Sequence, residues 1–104
     1  MDLYTNMNGT EYYVAPSGEL NTITASKFAD AIDSKISDIT LLKIDFDKCD
    51  YVSSAGLRIL INTFKKLRSI NGNMVLVNVG ENFKMILINT GLDTVFDIKY
   101  KEGV

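Results

Sequence analysis

The stretch that decides the fold runs from Ile44 to Ile70 and reads IDFDKCDYVSSAGLRILINTFKKLRSI. Its first residues continue an apolar, β-branched segment, and its second half repeats apolar side chains at the spacing of a helix. These side chains are Leu57, Leu60, Ile61, Phe64 and Leu67. Between the two parts lies SSAG at 53–56, where the chain must turn from strand to helix. The stretch therefore predicts a strand followed by a helix whose apolar stripe packs on a sheet.

The segment before this stretch predicts a β-hairpin and a first helix. Two short runs rich in Tyr and Val, 3–8 and 11–15, are separated by Asn8-Gly9, a pair that favours a tight hairpin turn. Pro16-Ser17-Gly18 is expected to stop the second strand, because proline cannot donate to a ladder and glycine permits a turn. After it, Thr22 or Thr24 is the expected cap of a helix. The apolar face of that helix comprises Ala25, Phe28, Ala29, Ile32 and Ile36.

The remaining segments complete an α/β fold. Residues 40–46 and 73–79 read as buried strands on either side of the central helix, which is expected to end with Gly72 in a left-handed conformation. Strand, helix and strand in this order require a parallel pair with a right-handed crossover. A third helix is expected at 81–90 and a last strand at 95–98. We therefore expect a mixed sheet that opens with a β-hairpin, continues through βαβαβ-type crossovers and carries helices packed upon it.

Length and composition limit the classes of protein that fit. The 104 residues suffice for one domain, expected to span 1–104, and the net charge of −2 provides no basic field for nucleic acid. No apolar run approaches the roughly 18 residues of a membrane span, and no secretion signal precedes the hairpin, so we expect no membrane insertion and a cytoplasmic location. Cys49 is alone and histidine is absent, so we expect no metal and no cofactor.

Enzymatic chemistry finds little support in the sequence. A serine at a strand-to-helix turn invites comparison with hydrolases, but VSSAG lacks the leading glycine of the nucleophile elbow, and no histidine is present to act as base. Asp45, Asp47 and Asp50 follow one strand and could form a carboxylate cluster that binds a cation, although solvated loop carboxylates are the more common case. No phosphate-binding glycine loop occurs.

The two serines at 53 and 54 have two readings. Either can cap the central helix by accepting a hydrogen bond from a free backbone N–H. The same helix start, with its unpaired N–H groups and partial positive charge, also favours an anion such as phosphate. Taken without any family knowledge, simple helix caps are the more common outcome.

Three blocks of the sequence resemble the STAS domain family. They are GELN at 18–21, YVSSAGL at 51–57 and NMVLV at 73–77, and the similarity covers nearly the whole chain. Within that family the chain is similar to the single-domain anti-sigma factor antagonists of bacteria. In the family motif D-S-[ST]-G-L the phosphorylated serine stands two places before the glycine, which places it at Ser54. Ser53 then replaces the usual Asp, Ala55 replaces the second hydroxyl residue, and Asn21 stands where many members have Asp.

The resemblance implies a binding module rather than an enzyme. The unphosphorylated antagonist binds a serine kinase of GHKL type that is also an anti-sigma factor, phosphorylation of Ser54 breaks the complex, and a phosphatase resets it. Residues implied to meet the partner are Asn21, Ser53, Ser54, Ala55, Gly56, Arg58 and Ile59. Met85 and Ile88 are further candidates for an exposed contact patch, although Ile59 and Ile88 could equally widen the core face. The alternative is a constitutive STAS scaffold or subunit that partners a transport ATPase, with Ser54 only a helix cap.

Overall fold

The structure, a computed structural model, describes residues 2–104 and contains a mixed sheet with three α-helices. In chain order the elements are β1 (Asp2–Asn8), β2 (Glu11–Ser17), α1 (Ala25–Asp33), β3 (Leu41–Asp45), α2 (Ser54–Ser69), β4 (Asn73–Val79), α3 (Glu81–Thr90) and β5 (Asp97–Tyr100). Two short 3-10 turns lie at Ile36–Asp38 and Leu92–Thr94.

The sheet has the strand order β1-β2-β3-β4-β5. β1 runs antiparallel to β2, and every other neighbouring pair is parallel. Each parallel connection passes through a helix, so the predicted hairpin and βαβαβ-type crossovers are confirmed. Because parallel strands all point the same way, the loops that follow β2, β3 and β4 lie together at the carboxyl end of these strands.

One face of the sheet forms the core with all three helices. Alternate residues of β2 and β3 point into it, as the period of two requires. They meet the buried stripes of the helices in one cluster. Its largest fully buried side chains include Phe28, Phe46, Phe83, Ile32, Ile44 and Leu60.

β2 ends at Ser17, within the predicted stop Pro16-Ser17-Gly18, but Pro16 itself does not end the strand as was expected. It lies within the strand, opposite Leu3 of β1, and the strand continues to Ser17. In an antiparallel ladder, pairs of residues that exchange two backbone hydrogen bonds alternate with pairs that exchange none. Asn8 and Glu11, which flank the two-residue turn, are a pair of the first kind. Counting back, Leu3 and Pro16 form a pair that exchanges none. The parallel ladder to β3 has already ended at Val14, so no hydrogen bond is missed.

The end of α1 and the start of β5 also differ from the sequence prediction. Helix α1 ends at Asp33, and Ile36 reaches the core from the following 3-10 turn instead of from the helix face. The final strand begins at Asp97 because the amides of Val95 and Phe96 fold back onto the carbonyl of Leu92 and extend the turn before it.

The end of α2 is closed by asparagine rather than glycine. Asn71 has a φ of 60° and takes the left-handed position that was expected of Gly72. The amide of Gly72 donates to Leu67 O at 2.7 Å and that of Asn71 to Arg68 O at 3.2 Å, which is the hydrogen-bond pattern of a Schellman motif. Gly72 packs closely instead: a Cβ there would lie 3.0 Å from Leu67 Cδ2, so the Leu67 side chain would have to shift slightly to admit it.

The opposite face of the sheet carries a polar network that joins three strands. The Tyr13 hydroxyl of β2 donates to Asp45 of β3, which also accepts a 2.9 Å hydrogen bond from the Asn78 side chain of β4. The hydrogen bond to Asp45, together with partial burial, raises the pKa of Tyr13 to about 12. Burial alone would raise the pKa of Asp45, but hydrogen bonds from Tyr13, Asn78 and the Asp47 amide outweigh it and lower the pKa.

This network predicts a loss of stability in alkali. The raised pKa of Tyr13 means that its contribution is complete below the usual value of 10.0 and disappears as the pH rises towards 12. Urea unfolding of wild type and Tyr13→Phe should therefore give free energies of unfolding that differ in neutral solution and converge from pH 10 to pH 12. A difference that stays constant over this range would contradict the assignment.

Candidate functional site

The two serines at the start of α2 lie in different environments. Ser53 is the N-cap: its Oγ accepts a 3.3 Å hydrogen bond from the Gly56 amide. Ser54 is the first helical residue and is exposed. Among residues 2–104 no hydrogen bond is found for the Ser54 hydroxyl. One serine therefore performs the capping, and the other presents a free hydroxyl beside the helix N-terminus.

The loop after β2 is paired with the loop that leads into α2. The Leu20 amide donates to Tyr51 O at 3.0 Å, and the Ser53 amide donates to Leu20 O at 2.8 Å. Leu20 and Val52 thereby form a parallel bridge, although neither belongs to a strand of the sheet. This pairing fixes the position of the GELN loop beside the two serines.

Gly56 allows this pairing to pack closely. A Cβ at Gly56 would lie 2.8 Å from Val52 Cγ1 and 2.9 Å from Leu20 Cγ. Both neighbouring side chains are buried in the core, so neither has solvent to retreat into. The glycine of the SSAG block is thus explained by the close approach of two apolar side chains to the first turn of α2.

Asn21 organises the tip of the GELN loop. Its side-chain oxygen accepts hydrogen bonds from the amides of Ile23, at 2.9 Å, and Thr24, at 3.1 Å. Thr24 Oγ1 in turn accepts from the Asn21 amide and donates to Glu19 O. Thr24 is the N-cap residue of α1, as one of the two predicted positions, but it makes no side-chain cap to the helix. The turn at the tip thus depends on the side-chain oxygen of Asn21.

The other residues expected at the partner surface occupy the first two turns of α2 and the outer face of α3. Arg58 is exposed, four residues after Ser54, and Ala55 is half-buried. Ile59 is also half-buried and packs against the core. Met85 and Ile88 are exposed on α3, so of the two isoleucines left open by the sequence only Ile59 contributes to the core.

Two exposed apolar residues near the serines were not singled out from the sequence. Ile23, at the tip of the GELN loop, is 88% exposed, and Tyr51, two residues before Ser53, is 46% exposed. An isoleucine among polar loop residues was the available signal, but its exposure depends on the turn made by Asn21. Both belong to the loops that pair beside α2.

The three aspartates around the end of β3 do not form a common site. Asp45 belongs to the network with Tyr13, and Asp47 pairs with Lys101 at 3.5 Å. Asp50 accepts a 3.2 Å hydrogen bond from the Phe83 amide and so caps the start of α3. Throughout residues 2–104 no three His, Cys, Asp or Glu side chains are grouped as metal ligands. The structure therefore does not support a cation site built from these aspartates.

Comparison with known proteins identifies the class to which this fold and site belong. The STAS domain family model matches residues 4–103, and the chain belongs to that family. The anti-sigma-B factor antagonist of Listeria monocytogenes is 30% identical over 88 residues, which cover 84% of this chain and 77% of that protein. The anti-sigma-B factor antagonist of Bacillus subtilis is 26% identical over 101 residues, which cover 97% of this chain and 91% of that protein.

Solved structures agree with this assignment. An anti-sigma factor antagonist from Mycobacterium paratuberculosis has a TM-score of 0.83 and 28% identity, covering 94% of this chain and 84% of that one. A crystal structure from Thermotoga maritima has a TM-score of 0.87 at 20% identity, covering 96% and 87% of the two chains, and shows the shared fold. No helix within residues 2–104 is both long and apolar enough to span a membrane.

The close packing at Gly56 predicts that Gly56→Ala destabilises the protein. The added methyl group must displace Leu20 or Val52 within a packed core, which costs about 1–3 kcal/mol. Ser54→Ala is the matched control: no hydrogen bond to its hydroxyl is found among residues 2–104, so the unfolding free energy of this variant should stay within about 0.5 kcal/mol of wild type. Equilibrium unfolding in urea measures both, and equal stability of the two variants would contradict the packing argument.

Proposed function

We propose that this protein is an anti-sigma factor antagonist whose partner binding is switched by phosphorylation of Ser54. The observation that carries the proposal is the difference between the two serines at the start of α2: Ser53 caps the helix, and the Ser54 hydroxyl is left exposed. The Ser53 hydroxyl is engaged by the Gly56 amide, whereas among residues 2–104 no hydrogen bond is found for the exposed hydroxyl of Ser54, so it is open to a kinase.

The proposed partner is a serine kinase of GHKL type that also acts as an anti-sigma factor. In the modification step Ser54 Oγ attacks the γ-phosphorus of ATP held by the kinase. A new O–P bond forms, the bond to the ADP oxygen breaks, and the hydroxyl proton passes to a base of the kinase. A phosphatase reverses the step by hydrolysis. The protein is then a substrate and a binding partner in the cytoplasm, with no catalytic role of its own.

The phosphate would act on the partner interface rather than on the fold. It adds a charge of about −1.5 to −2 at neutral pH. The start of α2 accommodates this charge, since the free N–H groups and the partial positive charge of a helix N-terminus stabilise an anion. The exposed apolar side chains of Ile23 and Tyr51 belong to the adjoining loops, and a partner that covers them must also desolvate the phosphate. Binding is lost while the domain stays folded.

Arg58 would hold the phosphate on the antagonist itself. It lies one helical turn after Ser54, at the i, i+4 spacing at which side chains on a helix meet. Its guanidinium is exposed, and among residues 2–104 it has no ion pair. A phosphate drawn to Arg58 also removes that cation from any contact with the partner.

The switch is tested with the kinase partner and three single substitutions. Ser54→Ala should bind the partner and take up no phosphate, as measured by intact-mass spectrometry after incubation with ATP. Ser54→Asp should bind at least tenfold more weakly, about 1.4 kcal/mol, with an almost unchanged melting temperature.

Ser37→Asp is the matched control for charge. This substitution adds the same charge at an exposed position of the 3-10 turn before β3, at the opposite end of the parallel strands from Ser54. The variant should bind the partner as wild type does. Phosphate on another residue in the Ser54→Ala variant, or equal weakening by both aspartates, would refute the assignment of the switch to Ser54.

The role of Arg58 predicts a shift in the ionisation of the phosphate. An adjacent cation favours the dianion and lowers the second pKa of phosphoserine below its usual value of about 6. Removing it in Arg58→Gln should therefore raise that pKa, which ³¹P NMR titration of the phosphorylated protein measures directly. Arg68→Gln, at the far end of the same helix, is the control and should leave it unchanged. Identical titration curves for all three proteins would show that Arg58 does not contact the phosphate.

A further inference from the structure

Strand β1 forms one edge of the sheet and leaves its outer side open. It pairs with β2 over seven consecutive residues, with no bulge or shift of register. Its sequence, DLYTNMN, has one charged residue, at the first position, and no proline. Natural edge strands commonly avoid unwanted pairing through lysine, proline, bulges or short length. β1 shows none of these protective features.

The register shows which backbone groups of β1 face outward. Asn8 and Glu11 flank the two-residue turn and exchange hydrogen bonds, so Asn6 and Tyr4 also point their amides to β2. The amides and carbonyls of Leu3, Thr5 and Met7 then point away from the sheet. The proline at position 16, which has no N–H, lies opposite Leu3 and agrees with this phase.

These three residues are spaced symmetrically about Thr5, so the edge is complementary to itself. When a second copy runs antiparallel with Thr5 opposite its own counterpart, Leu3 meets Met7 of the second copy, and all three residues exchange hydrogen bonds. The pairing makes about six ladder hydrogen bonds. It also places Asp2 opposite Asn8 of the second copy, so no two like charges face each other. Thr–Thr and Leu–Met contacts across the twofold axis are favourable cross-strand pairs.

The other edge of the sheet is blocked by contrast. β5 has four residues, includes Lys99, and pairs with β4 through an irregular register between Leu76 and Val79. A lysine on a short, irregular strand discourages pairing with another chain. Among the strands of residues 2–104, β1 alone is therefore open to pairing with another chain. Because each copy offers only this edge, pairing stops at a closed dimer and does not continue into a fibre.

We propose that two copies of this chain associate through β1, antiparallel about Thr5, into a continuous ten-stranded sheet. An interface limited to one strand edge falls at the small end of specific interfaces, so the dimer is reversible and depends on concentration. The proposal is independent of the switch at Ser54, since β1 is the edge strand of the sheet, whereas the serines lie at the carboxyl end of the parallel strands. Both copies keep Ser54 accessible in the dimer.

Sedimentation velocity over a concentration series tests the dimer. Wild type should shift from monomer to dimer as concentration rises, and Thr5→Pro should remain monomeric at every concentration. The proline removes an outward-facing amide, so the ladder to β2 keeps its hydrogen bonds and the melting temperature should stay close to that of wild type. Thr5→Val keeps the amide and the β-branched shape and should dimerise as wild type does.

Charge complementation gives a second readout that does not rely on proline. Thr5→Glu and Thr5→Lys each place like charges opposite each other at the twofold axis and should be monomeric. An equimolar mixture of the two should form a heterodimer that weakens with added salt.

The outcomes of both experiments decide the proposal. A wild-type protein that stays monomeric throughout, a Thr5→Pro variant that dimerises like wild type, or a mixture that fails to associate would each overturn it. Ser54→Ala should dimerise as wild type does, which keeps this result separate from that of the phosphorylation switch.

Discussion

The contact on which the site depends is the packing of Leu20 and Val52 beneath Gly56. It joins the loop after β2 to the first turn of α2, and the bridge between the two loops adds hydrogen bonds on both sides of it. Any larger residue at position 56 would have to displace the Leu20 or Val52 side chain within the packed core. This close approach and the bridge together hold the loop that carries Asn21 beside the turn that carries Ser53 and Ser54.

The fold also distributes its charged groups so that the serine at the start of α2 stays free. The start of α3 is already occupied by the Asp50 carboxylate, which accepts a hydrogen bond from the Phe83 amide and lies so close to Gly80 that a Cβ there would be 2.6 Å from its Oδ1. Asp45 and Asp47 are engaged by Tyr13 and Lys101. Of the two helices that begin at this edge after β3 and β4, α2 is the one that begins without a carboxylate of its own.

The elements of the fold could be predicted from sequence because their signals are local. Each signal is read within a few consecutive residues: the apolar stripe of α2, the Asn8-Gly9 turn and the β-branched runs. The errors arose where a distant contact decides the outcome. Pro16 is tolerated in β2 because of the hydrogen-bond phase of its pairing with β1, and the start of β5 depends on amides that fold back onto Leu92.

The same limit applied to the site. The serines were evident from the sequence, but the assignment of capping to Ser53 required the geometry of the first turn, and the capping of α3 by Asp50 joins residues 33 positions apart. The exposure of Ile23 followed from the hydrogen bonds of Asn21 rather than from its own neighbours in sequence. Side-chain partners across long intervals carry no periodic signal.

The turn at Asn21 has one more consequence for proteins of this kind. Both of its hydrogen bonds to the loop amides use the side-chain oxygen and leave the nitrogen uninvolved. A carboxylate has the same oxygen in the same place, so exchanging one NH₂ group for an oxygen preserves the loop and adds a full negative charge close to the serines. A single substitution at this position can therefore change the charge of the surface without changing its shape.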